Sequence, residues 1–270
     1  MRATIKLLVV GALIVGFALP CYAAKIVIEG STTVLPIAQK AAEVFMDKDG
    51  KADISVRGGG SSVGIASMID GTCDIAGASR AIKDSELDKA IANSRNPVAH
   101  VVAMDGIAVI VNPSNNVNAL TKKQVKDIYT GKISNWADVG GKNEQIVIIS
   151  RDTPSGTYEA FGELALEKDK VRPDALLQAS NQAVASVVSR TPGAIGYVGL
   201  GYVNSAVKAV TVNGIMASKE TVLSGTYPIS RPLFMYTNGQ PSGEVKAFMD
   251  FVKSSEGQRI AEEQGFVGLK

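Results

Sequence analysis

Residues 146–165 read I-V-I-I-S-R-D-T-P-S-G-T-Y-E-A-F-G-E-L-A. The run Ile146 to Ile149 is short, branched and apolar, which predicts a buried strand. Behind it Tyr158, Phe161, Leu164 and Ala165 recur at helical spacing. A strand that passes into a helix through a short polar loop is the unit of an α/β layer. A helix N-terminus exposes unpaired N–H groups and partial positive charge, so this loop suits an anion. Gly156 has no side chain to hold an anion off the backbone. Ser155 and Thr157 add hydroxyl donors, and Arg151 adds a forked cation that fits an oxyanion through two bonds. Ordinary capping reads the same residues differently, with Ser155 as the cap and Arg151 on the surface.

The unit recurs in both directions. Strands are expected at 25–29, 54–57, 74–78 and 194–198. Helices are expected at 34–46, from Ser61 or Ser62 to Gly71, from Ser85, and at 181–190 and 243–265. Thr121 with Gln124 makes a capping box for one more, closed by Gly131. Val101 to Val111 is apolar but interrupted by Asp105-Gly106, which predicts two strands joined through a bend. Pro228 to Tyr236 is extended. These two stretches flank the middle third, so the expected layout is two α/β lobes, 24–104 with 231–270 and 105–230, with the chain crossing between them twice.

Three further loops repeat the composition: Gly30-Ser31-Thr32-Thr33, Arg57-Gly58-Gly59-Gly60-Ser61-Ser62, and Gly77-Ala78-Ser79-Arg80. Glycines with hydroxyls between strand and helix are also ordinary turn chemistry. Neither the P-loop nor the dinucleotide glycine pattern occurs. In open α/β sheets, loops at the carboxyl ends of strands gather in one crevice. A small anion is the economical explanation for all four.

The formal net charge is +2. Removing Arg2 and Lys6 with an N-terminal leader takes the 28 basic residues to 26, equal to the 26 acidic ones. A neutral chain recommends neither nucleic acid nor a membrane surface as partner. Residues 1–23 read as a signal peptide: a basic start, an apolar run from Leu7 to Leu19 too short to span comfortably, then Cys21-Tyr22-Ala23 at the cleavage position. Pro20 before Cys21 argues against lipidation. Export leaves Cys73 as the only mature cysteine, with no internal disulfide to form.

Seven segments carry a family resemblance: E-G-S-T-T-V-L-P at 29–36, R-G-G-G-S-S-V-G-I at 57–65, D-I-A-G-A-S-R at 74–80, D-G-I-A-V-I-V-N-P at 105–113, Y-T-G-K-I-S-N-W at 129–136, S-R-D-T-P-S-G-T at 150–157 and T-P-G-A-I-G-Y-V at 191–198. In this order they resemble the substrate-binding proteins of bacterial phosphate ABC transporters, in their shorter form. The resemblance covers essentially all of the mature chain. It implies a type II periplasmic binding protein fold, with two α/β lobes, a two-segment hinge and phosphate buried in the cleft. Thr32 and Thr33, Ser61, and Arg151 with Ser155, Gly156 and Thr157 match ligand positions. Ser31, Ser62, Arg80 and Asp105 are counted with them. The implied partners are inorganic phosphate and membrane ABC permease subunits, for a periplasmic monomer without cofactor or metal.

One position departs from the resemblance. Longer members place an aspartate after Gly-Ala-Ser, where it accepts the proton of bound phosphate and so rejects sulfate. This chain has Arg80 there. Asp105 and Asp152 are the candidate replacements, with Asp105 preferred because it lies at the expected crossing. Asp105 also reads as a turn residue or a partner for Arg80. The rival classes are a binder or sensor of another tetrahedral oxyanion (sulfate, molybdate, arsenate) and an enzyme. The one histidine, His100, stands in an apolar stretch without a nucleophile elbow or metal cluster, which weighs against catalysis. Trp136 reads as a packing residue and Lys122, Lys123 and Lys126 as a solvated helix face.

Overall fold

The computed structural model describes residues 25–50 and 52–269. The expected signal peptide, 1–23, and Cys21 lie outside these residues. Strand β1 (Lys25–Gly30) alternates buried positions with less buried ones and leads into α1 (Leu35–Asp49), whose Pro36 sits in the first turn, where no N–H is needed. Then follow β2 (Asp53–Gly58), α2 (Ser61–Asp70), β3 (Ile75–Ala78) and α3 (Asp84–Ala92). Gly71 closes α2 in the left-handed conformation at φ 74°.

Strand β4 (Pro97–Val111) is one continuous strand, not the two expected. Asp105-Gly106 marks a change of neighbour instead. Residues 97–106 pair with β11 (Ser230–Asn238), whereas 107–111 pair with β8 (Ala194–Gly199). Between β4 and β8 come β5 (Ala119–Leu120), α4 (Lys122–Tyr129), β6 (Val147–Arg151), α5 (Gly156–Leu164), β7 (Leu176–Gln178) and α6 (Asn181–Arg190). Between β8 and β11 come β9 (Lys208–Ala209), β10 (Thr211–Val212) and α7 (Lys219–Leu223). Pro232 falls inside β11 opposite Met104. Its missing donor costs little there, because Met104 exchanges both its backbone bonds with Val267. The last expected helix is two, α8 (Gly243–Lys253) and α9 (Ser255–Glu263). Ser254 between them is extended, at ψ 165°, and its hydroxyl caps the second.

One curled sheet runs β2-β1-β3-β11-β4-β8-β6-β7, with β9 on β4; β5 and β10 pair separately. Two main cores flank it. Residues between Ile107 and Ile229, with Val267, build one around Tyr129, Trp136, Phe161 and Tyr197. Residues before 104 and after 232 build the other around Ile37, Phe45, Phe248 and Phe266, beside a smaller cluster under α2. Among the described strands β4 pairs in both halves of the sheet, and β11 begins at Ser230, opposite Gly106 where β4 changes neighbour. Trp136 packs as expected and donates to Gly193 O at 2.9 Å. His100 is spent on structure: Nε2 lies 2.8 Å from Thr237 Oγ1, and Nδ1 3.0 Å from Lys253 Nζ.

Candidate functional site

The loops after β1, β2, β3 and β6 meet where the halves face each other. Ser31 Oγ accepts from Thr33 N and Val34 N, turning the chain into α1 and leaving the next two hydroxyls to face inward. Thr33 Oγ1 lies 2.9 Å from Thr157 Oγ1 across the divide. Ser61 Oγ accepts from Ser79 N at 3.0 Å and sits against Gly156, where a Cβ would come within 2.2 Å of it. Ser155 Oγ caps α5 by accepting from Tyr158 N. Thr33 thus meets Thr157, and Ser61 meets Gly156, across the divide, and Thr33, Ser61, Arg151, Ser155 and Thr157 are each at most 1% exposed.

Arg151 is aimed by its own half. Its backbone N–H donates to Tyr197 Oη, and Tyr197 is stacked on Phe161 at 3.9 Å. Nε donates to Gln178 O and Nη2 to Ala179 O, both at 3.0 Å. Nη1 is buried with no hydrogen-bond partner. Burial lowers the pKa of this guanidinium, against the pull of Asp152. A buried charged donor left without a partner is costly, so such an atom points to a ligand.

Two residues that sequence reasoning missed complete the cluster. Asn181, the first residue of α6, donates to Thr32 Oγ1 at 3.1 Å and Thr33 Oγ1 at 3.0 Å. Its Oδ1 accepts from Gly199 N. Arg231, on β11, is the hub. Nη2 donates to Thr157 Oγ1 and Asp105 Oδ2, each at 2.9 Å, and to Thr33 Oγ1 at 3.3 Å. Nη1 donates to Ser79 O and Gly156 O, one from each half. The signal for Arg231 was a lone cation inside an apolar crossing strand. Asn181 carried none, because an asparagine opening a helix reads as a cap.

Two expectations are corrected. Asp105 pairs with Arg231, not with Arg80, and its Oδ1 accepts from Leu200 N. Complete burial pushes its carboxyl above the usual range, against the pull of Arg231. Arg80 does not face the cluster. Its fork is held by Glu86 Oε1 at 2.7 Å and Oε2 at 2.8 Å, and Nη2 also donates to Ser62 Oγ at 2.9 Å. The carboxylates of Glu86 and Glu159 hold the guanidinium, and Ser62 Oγ is bonded to both Arg80 and Glu159. A cavity of about 660 Å³ runs beside the cluster, with Ser79, Arg80, Glu159 and Arg231 on its wall. Among the described residues no group of acidic, histidine or cysteine side chains is placed to hold a metal.

Comparison with known proteins identifies the family. A family profile described as "PBP superfamily domain" matches residues 18–256. The phosphate-binding protein PstS of Bacillus subtilis is 34% identical over 244 residues, spanning 89% of this chain and 79% of that one. A Clostridium perfringens crystal structure, described as a phosphate ABC transporter substrate-binding protein with bound phosphate, superposes with a TM-score of 0.86 at 35% identity. The match covers 91% of this chain and all of that one. An ABC-type phosphate transport receptor from Vibrio cholerae gives a TM-score of 0.74 at 31% identity over 90% of this chain and 100% of the other.

Proposed function

The chain belongs to the phosphate-binding proteins of the PBP superfamily, with their type II periplasmic binding protein fold, and on that premise we propose that it captures inorganic phosphate between its halves and delivers it to an ABC permease. The observation that carries this reading is Arg151 Nη1, a buried charged donor without a partner, on the strand that leads into the N-terminus of α5. Phosphate would take Nη1, the hydroxyls of Thr32, Thr33, Ser61, Ser155 and Thr157, and the backbone at Gly156. Asn181 and Arg231 orient those hydroxyls. Asp105 works through Arg231, balancing its charge and fixing its fork. Arg80, Ser31 and Ser62 act around the site rather than in it.

Donors from both halves give the ligand its higher affinity for the closed form, which is what shifts an equilibrium toward closure. We place the halves at 24–104 with 231–270 and at 105–230, the hinge being β4 and β11. The reading places the protein outside the cytoplasm. No helix among the described residues is long and apolar enough to cross a membrane.

A second reading has one observation behind it. Asp105 Oδ2 already accepts from Arg231 Nε and Nη2, so this carboxylate is not free to take a ligand proton. With Asp105 so engaged, sulfate meets no unpaired carboxylate at that position to repel it. Titration calorimetry with phosphate and sulfate from pH 5 to 8 separates the two. Tight binding of phosphate with sulfate at least about 100-fold weaker supports a phosphate carrier; equal affinities make it a general oxyanion binder; no binding of either ends the proposal.

A further inference from the structure

Glu159 lies three residues beyond Gly156 on α5 and points back across the divide. Its Oε2 is 2.6 Å from Lys83 Nζ and 3.1 Å from Arg80 Nε, and its Oε1 accepts from Ser62 Oγ at 3.3 Å. All three partners belong to the other half. They are also linked to one another within their own half, by bonds that do not involve Glu159. Glu86 grips the Arg80 fork through both carboxylate oxygens, accepts from Lys83 N and so ties Arg80 to the start of α3, while Arg80 Nη2 donates to Ser62 Oγ. Arg80 Nε is buried without a hydrogen-bond partner, and Glu159 Oε2 lies at ion-pair distance from it but off the line of a hydrogen bond. The side chains of Arg80 and Glu159 are 7% and 19% exposed.

We propose that Glu159 is a closure latch: its carboxylate binds a preformed Ser62–Arg80–Lys83 socket only when the halves meet, and thereby slows release of the bound anion. The inference rests on the proposed hinge-closing function. It also gives Arg80 a use, because a cation beside the ligand loops can secure the cleft without touching the ligand. A pair this well shielded keeps more of its Coulomb energy than a surface pair. The socket contributes nothing when the halves are apart, so its whole effect falls on the closed state.

The test compares the parent with Glu159→Gln, which keeps an acceptor for Ser62 and loses the charge, and with Lys83→Met, which removes the exposed member of the socket. Release of inorganic phosphate is followed by stopped-flow, affinity by calorimetry, and the ligand-free radius of gyration by small-angle scattering. The latch predicts about tenfold faster release in Glu159→Gln, a smaller change in Lys83→Met, and association rates within about twofold of the parent. Raising salt to about 1 M, where the Debye length is about 3 Å, should speed release in the parent more than in Glu159→Gln. Equal release rates and equal salt slopes in parent and Glu159→Gln overturn the latch. If the parent binds no phosphate, the scattering decides: a larger ligand-free radius in Glu159→Gln keeps the latch and removes the phosphate reading, and identical radii remove both.

Discussion

Arg151 is immobilised by the half that carries it. Two of its nitrogens are spent on the carbonyls of Gln178 and Ala179, and the third is buried and unspent. A lysine keeps the charge but cannot fork between two carbonyls and a ligand. Arg151→Lys should therefore weaken phosphate by about 30-fold or more, since a charge-assisted hydrogen bond is worth about 1.5–3 kcal/mol. Calorimetry checks this, and a loss below threefold removes Arg151 from the site. Cys73 behaves in the opposite way. Burial first, then Glu29 and Asp74, push its thiol up to about 12. The thiolate is the reactive form, so at pH 8 the native protein should resist a disulfide reagent. Its modification should run at least about 100-fold slower than in denaturant and rise about tenfold per pH unit. Rapid native labelling at pH 7 would show Cys73 to be open to solvent.

Among the elements, α5 carries most of the consequence. Its first residue, Gly156, would place a Cβ 2.2 Å from Ser61 Oγ and 2.8 Å from Ser79 Oγ, both on the opposite half, and the nearest contacts are all across the divide. Gly156→Ala should leave the fold of its own half intact and block closure. The expected result is a ligand-free melting temperature within a few degrees of the parent and no rise on adding phosphate; an undiminished rise would mean that the halves do not approach as described. The motif around α5 was readable because strand, loop and helix are contiguous, and the loop's donors serve its own helix end. Capping boxes and glycine stops were readable for the same reason, and α4 and α6 came out nearly to the residue. The rest depends on distant partners. β4 was misread because Asp105-Gly106 looks like a bend when its new neighbour, β8, is almost 90 residues away. The break between α8 and α9 hides in a serine that fits a helix or a cap. β7 is three residues long, and Leu176 and Leu177 are exposed, so no alternation announces it. Asn181 and Arg231 belong to the cluster through contacts spanning more than 70 residues of chain.

The molecule as a whole is two cores sewn together by two strands, and Asp105 with Arg231 locks the seam. Arg231 is 4% exposed and bonds to the Ser79 and Gly156 carbonyls of opposite halves, and Asp105, on the neighbouring crossing strand, is wholly buried. An arginine keeps its proton in a protein, so Asp105→Asn leaves a buried charge uncompensated at the junction. Breaking a buried pair on one side costs about 3–5 kcal/mol. Because the junction is what makes the halves unfold together, the variant should also lose cooperativity. Trp136 reports one core and far-ultraviolet dichroism reports both, so urea curves by the two probes should coincide in the parent and separate in Asp105→Asn. Saturating phosphate should draw them together again if it still binds, since a ligand held by both halves stabilises only the state in which they meet; at about 1,000 times Kd that amounts to about 4 kcal/mol. Coincident curves in the variant, with a loss under about 1 kcal/mol, would show that the pair is incidental to the joint and that the crossing strands alone hold the halves in register.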